Sequence, residues 1–124
     1  MSKEQYVTYE TAKLLKEKRF DWDTFTFYDE IRKFNRANTV YNWNKANFDV
    51  DVFSVPTQQM AIRWLREESG IHIYPIPVTG FNYVVSVYAE KGNKTYDRIL
   101  SRSGRNAYED AIEAALQYCL TKLI

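Results

Sequence analysis

The amino-acid sequence predicts an α+β fold in the order α-β-β(-β)-α-β-β-β-α, with a mainly antiparallel sheet and helices packed on one face. Three observations carry this. Apolar residues recur at helical spacing in three separate segments. The runs between them alternate in polarity, or are rich in β-branched and aromatic residues. Helices and hairpins are segregated along the chain rather than alternating, which favours a mainly antiparallel sheet.

The first helix is expected from about Thr8 to Lys18. Thr8 can cap the free N–H groups of the first turn, Glu10 suits the positive end of the dipole, and Ala12, Leu14 and Leu15 supply an apolar side. Phe20 to Tyr28 follows as a strand, with Asp21 and Asp23 alternating with Phe20 and Trp22. Residues 29–47 are rich in Asn, with a short strand expected near Thr39–Trp43. Phe48 to Phe53 alternates cleanly and reads as a further strand.

Pro56 stands where the second helix is expected to start, and Gly70 ends it. Met60, Ala61, Trp64 and Leu65 form its buried stripe, whereas Gln58, Gln59, Arg63, Arg66 and Glu67 fall outside it. Ile71 to Val78 is β-prone but contains Pro75 and Pro77, whose missing donors face the same side, so it is expected at a sheet edge. Phe81 to Ala89 is the strongest strand. A turn at Gly92–Asn93 returns the chain into a strand over Thr95–Ser101. The last helix is expected from Asn106 to Leu123, with Asn106 and Glu109 as a capping box and a stripe of Tyr108, Ala111, Ile112, Ala115, Cys119 and Leu123.

The length of 124 residues suits a single domain over 1–124, with 55–124 as a candidate sub-unit. Lys and Arg number 17 against 16 Asp and Glu, a formal net charge of +1, which disfavours a general polyanion binder. No apolar run is long enough to cross a bilayer, and the N-terminal stretch lacks the apolar core of a secretory signal. With a single cysteine, neither an intramolecular disulfide nor a thiolate metal cluster can form. A cytoplasmic protein without membrane partners is the expectation.

Chemistry-bearing residues are few. His72 lies between Ile71 and Ile73 on the outward face of a strand, and no second His or Cys completes a metal site with it. Cys119 falls on an apolar helix stripe, where a thiol behaves as a small hydrophobe. Asp21/Asp23 and Asp49/Asp51 are carboxylate pairs of the kind that strand alternation alone produces. Phosphate-cradling glycine loops and the common hydrolase motifs do not occur. No catalytic residue, metal or cofactor is therefore expected, and the chain reads as a non-enzyme.

Two constellations point to binding instead. Arg102, Ser103, Gly104, Arg105 and Asn106 precede the last helix, where free N–H groups and the helix dipole favour a phosphate or carboxylate. Arg63 and Arg66 form a weaker cationic pair, partly neutralised by Glu67 and Glu68. Aromatics include 10 Tyr, more than the apolar periodicity needs for a core, so a tyrosine-bearing interface is expected, with Tyr83, Tyr88 and Tyr96 as candidates.

From Val55 to Leu123, the helix, three strands and closing helix, entered through SRSGRNAYEDAIEAAL, resemble the topology of double-stranded RNA-binding domains. That resemblance implies a phosphate-spanning basic cluster at the last helix, where this chain offers Arg102 and Arg105 and then turns acidic at Glu109, Asp110 and Glu113. Over nearly the whole chain, YVTYETAKLLKEKRFDWD, VPTQQMAIRWLREESGIHI and AYEDAIEAALQYCLTKLI resemble small uncharacterised proteins encoded by phages and integrated mobile elements of gut Bacteroidales. This resemblance implies an accessory protein working in the cytoplasm of a bacterial host cell. The expected function is non-catalytic binding: counter-defence or accessory sequestration of a host or phage protein, or of an anionic nucleotide-like small molecule. The alternatives are a nucleic-acid-binding module and a small structural, virion-associated protein. Monomer and small homo-oligomer both stay open.

Overall fold

The computed structural model describes residues 5–45, 51–80, 82–104 and 106–124, with the side chains of 98–101 left out of the description. The elements run α1 Tyr9–Glu17, β1 Thr24–Tyr28, β2 Phe34–Tyr41, β3 Phe53–Ser54, α2 Gln58–Ser69, β4 Ile71–Val78, β5 Asn82–Ala89, β6 Lys94–Arg102 and α3 Ala107–Tyr118, then a π-helical turn Cys119–Leu123. This is the predicted α+β order, and every strand pairing is antiparallel. The strands divide into two sheets, ordered β2-β1-β3 and β4-β5-β6. The chain forms two compact units, Met1–Thr57 and Gln58–Ile124.

In the first unit, Thr8 caps α1 as expected, its hydroxyl accepting from the Thr11 N–H at 3.4 Å. Ala12 and Leu15 of α1 are buried with Val7, Phe20, Val52, Phe53 and Val55. The strand predicted over Phe20–Tyr28 begins only at Thr24, because the chain first closes the end of α1. Phe20 N–H reaches back to the Leu15 carbonyl at 2.9 Å, and Arg19 takes a left-handed backbone with φ of 66°. The strand expected near Thr39–Trp43 is instead β2, starting at Phe34. Its polarity does not alternate because its register with β1 is broken. Thr26 pairs with Arg36 but Thr24 pairs with Tyr41, so extra β2 residues bulge out between them. Of the strand expected over Phe48–Phe53, residues 48–50 lie outside the described residues, and β3 is the two-residue remainder, Phe53–Ser54.

The second unit has the α-β-β-β-α order. Its helix starts at Gln58 rather than Pro56, because the preceding residues are held by the N-terminal segment. Val7 N–H donates to the Pro56 carbonyl at 3.1 Å, and Tyr6 bridges Thr57. β4 occupies a sheet edge, as its two prolines require. The predicted β5 strand pairs with β4 from Ile71↔Ala89 to Val78↔Asn82, and its expected first residue, Phe81, lies outside the described residues. Ile71, Ile73, Val85 and Val87 share one sheet face and are buried with Ala111, Ile112, Ala115 and Leu116 of α3. Two expectations for the last helix change. Asn106 flanks its start, but with φ of −102° and ψ of 25° its side chain makes no capping bond, so the capping box does not form. The α-helix also ends at Tyr118 instead of Leu123. The Thr121 hydroxyl donates to the Gln117 carbonyl at 2.7 Å, and the backbone widens into a π turn there. Tyr108 and Leu123, placed on the buried stripe by periodicity, are half-buried.

Gly70, between α2 and β4, has φ of 63°, and a Cβ built there would collide with the Glu90 carboxylate and sit 3.2 Å from Glu90 Cβ. Gly70→Ala is expected to destabilise the second unit by about 2 kcal/mol, from the left-handed backbone and the displaced Glu90. Gly92→Ala, where φ is 82° and nothing lies within 4 Å, isolates the backbone share. Urea denaturation of the two variants checks this, and equal losses would show that Glu90 contributes nothing.

Candidate functional site

An open cleft of about 890 Å³ lies in the first unit, between the end of α1 with the segment that follows it and the turn after β2. One wall carries Lys16, Arg19, Phe20, Asp21 and Asp23, and the other Tyr41, Asn42, Asn44 and Lys45. The walls are joined by Asn44. Its Oδ1 accepts from the Ser54 N–H at 2.9 Å, its Nδ2 donates to the Phe20 carbonyl at 3.0 Å, and its backbone N–H donates to Ser54 Oγ at 3.2 Å. Trp43 fixes the same turn from outside, donating through Nε1–H to the Thr24 carbonyl at 2.8 Å and packing on Phe27 with ring centroids 4.5 Å apart.

This frame presents two kinds of group to the cleft. Tyr41 is 47% exposed, and its ring is braced edge-on by Trp43 at 5.2 Å. A braced, half-exposed aromatic ring offers a stacking surface at little entropic cost. Three cations accompany it. Lys16 is already anchored, its Nζ donating to the Val52 carbonyl at 2.9 Å and lying 5.0 Å from the centre of the Phe53 ring. Arg19 and Lys45 are exposed, and among the described residues no acid lies within ion-pairing distance of either. Asp21 and Asp23 are also on the wall, so the described lining carries these two carboxylates beside the three cations.

The residues singled out in the sequence are placed elsewhere. Arg102 ends β6, and Arg102, Ser103, Gly104 and Asn106 are exposed, while Arg105 lies outside the described residues. Arg63 Nε pairs with Glu67 Oε1 at 3.2 Å, and Arg66 is exposed. The three candidate interface tyrosines are divided between the faces of their sheet. Tyr83 packs edge-on against Tyr108 of α3 at 5.3 Å and Tyr96 against Tyr118 at 6.3 Å. Tyr88 instead donates its hydroxyl to Asn93 Oδ1 at 2.8 Å, on the side that carries His72 and the exposed Tyr74. None of the ten tyrosines is fully buried, in keeping with an aromatic surplus at the surface.

His72 stacks near Tyr74 and lies 3.4 Å from Glu90 Oε1, on the sheet face away from α3. Asp49 lies outside the described residues, and Asp51 is exposed. Gln58, placed off the buried stripe by periodicity, is only 2% exposed, because its amide donates to the Glu109 carbonyl at 3.0 Å and to Glu113 Oε1 at 3.1 Å. Cys119 is fully buried, and loss of solvent pushes its thiol from 9.0 up to about 12. Folding is therefore favoured in full below pH 9.0, and this contribution is lost as the pH rises toward about 12. Iodoacetamide at pH 8 is expected to leave native Cys119 unmodified and to alkylate it in urea, a contrast that intact-mass spectrometry reads directly.

Compared with family models, curated proteins and solved structures, the chain matches none. The cleft was not legible as a site, since its walls are separated in sequence. One local signal was available: α1 ends at Lys18 and Arg19 without the glycine that normally takes a left-handed position.

Proposed function

We propose that the chain is a non-catalytic binding protein that holds an anionic, nucleotide-like small molecule in the cleft of its first unit. The observation that carries this is the presence, on one frame fixed by Asn44, of a braced stacking ring and two cations without an acid partner among the described residues. In this reading a base lies on Tyr41 and the anionic group meets Arg19, with Lys45 and Lys16 adding charge. The thiol of Cys119 and the imidazole of His72 do not line the cleft, and the groups that do are suited to binding and orienting. Among the described residues the carboxylates on its walls are Asp21 and Asp23, and in this reading they bind donors on the ligand.

The setting we propose is an accessory protein of a phage or mobile element, sequestering its ligand in the cytoplasm of a bacterial host. Calorimetric titration with adenosine 5′-monophosphate, followed by recovery of the nucleotide after denaturation, tests both halves of the proposal. Saturable binding with intact nucleotide supports it. Absence of heat defeats the binding claim, and recovery of adenosine or adenine defeats the non-catalytic claim.

A second reading has one observation in its favour: the second unit pairs its strands in the order β4-β5-β6 within an α-β-β-β-α chain, as the resemblance to double-stranded RNA-binding domains implies. Duplex binding would weaken steeply with salt as counterions are released, and no binding to duplex RNA at low salt removes this reading.

A further inference from the structure

Among the described residues three non-glycine residues have a left-handed backbone: Arg19 at φ of 66°, Arg32 at 63° and Asn93 at 48°. Such a backbone disfavours any side chain with a Cβ, least of all asparagine, so each residue needs a reason to be there. For two of them the reason is internal. Arg32 lays its guanidinium over the Tyr9 ring, 4.5 Å from the centroid, and Asn93 accepts the Tyr88 hydroxyl at 2.8 Å. Arg19 sits where a helix usually ends in glycine. The Phe20 N–H closes on Leu15, the Arg19 N–H on Lys16, and the apolar pair Leu15 and Phe20 is buried beneath. Its exposed side chain has neither a ring nor an acid as partner among the described residues, and it lines the cleft.

We infer that Arg19 is the phosphate-recognising residue of the cleft, kept at the left-handed end of α1 for its guanidinium at the expense of helix stability. This rests on the reading of the cleft as a nucleotide site. A planar guanidinium can present two parallel N–H donors to one phosphate, which an ammonium cannot. The left-handed position sends the chain directly from the helix into the cleft wall, so the donor stands on a capped helix end instead of a free loop. Lys16, already bound to the Val52 carbonyl, contributes charge beside it without supplying that fork.

Two effects are expected to run in opposite directions. Arg19→Gly is expected to raise the melting temperature by about 3 °C, since glycine adopts this backbone without penalty. The same change is expected to weaken adenosine 5′-monophosphate at least tenfold, about the loss from removing a charge-assisted hydrogen bond, and to leave adenosine within twofold. Arg19→Lys, which keeps the charge and the strained backbone, is expected to retain the wild-type melting temperature and an intermediate affinity.

A calorimetric titration of the wild-type chain and both variants with the nucleotide and the nucleoside, beside a melting curve of each, tests this. An unchanged or lower melting temperature in Arg19→Gly overturns the strain argument. Affinity for the nucleotide within twofold of wild type overturns the recognition argument, while Tyr41→Ala in the same titration shows whether the cleft is still the site. If the wild-type chain binds neither nucleotide nor nucleoside, the reading of the cleft falls, and this inference falls with it.

Discussion

Replacing Asn44 with alanine is expected to destabilise the unit formed by residues 1–57 by about 3 kcal/mol. The side chain satisfies the Ser54 N–H and the Phe20 carbonyl, both belonging to residues that are almost completely buried. Truncation removes the one amide that serves both, and a buried group that loses such a bond costs roughly 1–3 kcal/mol. This one side chain joins three segments: the stretch after α1, the turn after β2, and β3. Asn44→Asp keeps the acceptor for Ser54 but sets a carboxylate oxygen against the Phe20 carbonyl, so a loss at least as large is expected at neutral pH. Urea denaturation combined with hydrogen exchange at the β1 amides reads the effect where it should appear. A loss below about 1 kcal/mol in Asn44→Ala would show that water replaces the amide at both ends. Because the same clamp holds the walls of the cleft together, ligand affinity is expected to fall in parallel with stability.

Reversing the two exposed cations, Arg19→Glu with Lys45→Glu, is expected to weaken adenosine 5′-monophosphate by about a hundredfold or more. Two attractive groups become repulsive within one cleft, and both side chains are exposed, so folding stability is expected to change by no more than about 0.5 kcal/mol. That separation of effects distinguishes this variant from Asn44→Ala, where binding and stability move together. The pair Arg102→Ala with Arg105→Ala is the matching control at the start of α3. Calorimetry that finds the nucleotide weakened by the α3 pair and indifferent to the cleft pair would move the site to the second unit.

Much of the fold was legible because its signals are local. Thr8 caps α1 from one turn away, Gly70 and Gly92 take positive φ values at the ends of elements, and the prolines of β4 place it at an edge whatever its partner. The failures share a different cause. The mixed polarity of residues 29–47 shows only a short strand near Thr39–Trp43, because the register of β2 with β1 contains a bulge that only the partner strand reveals. Gln58 looked like a surface residue because its burial depends on Glu109 and Glu113, more than 50 positions away. The helix expected to start at Pro56 begins later because Tyr6 and Val7 claim Pro56 and Thr57.

The candidate site divides in the same way. The approach to α3 was visible as a helix start flanked by arginines, which is a local pattern. The cleft in the first unit is assembled from residues 16–23 and 41–45, and no reading along one segment brings Arg19 to Tyr41. Its aromatic ring belongs to the tyrosine surplus noted in the composition, but the position of that ring depends on Trp43, Phe27 and the Thr24 carbonyl.

The cleft of the first unit is proposed to bind an anionic nucleotide-like ligand. Amide chemical-shift mapping with adenosine 5′-monophosphate, at natural charge and without any substitution, tests it most directly. Saturable shifts concentrated at residues 16–23 and 41–45 are expected, with the amides of 102–106 unmoved. Shifts centred on residues 102–106, or none at either place, would contradict it.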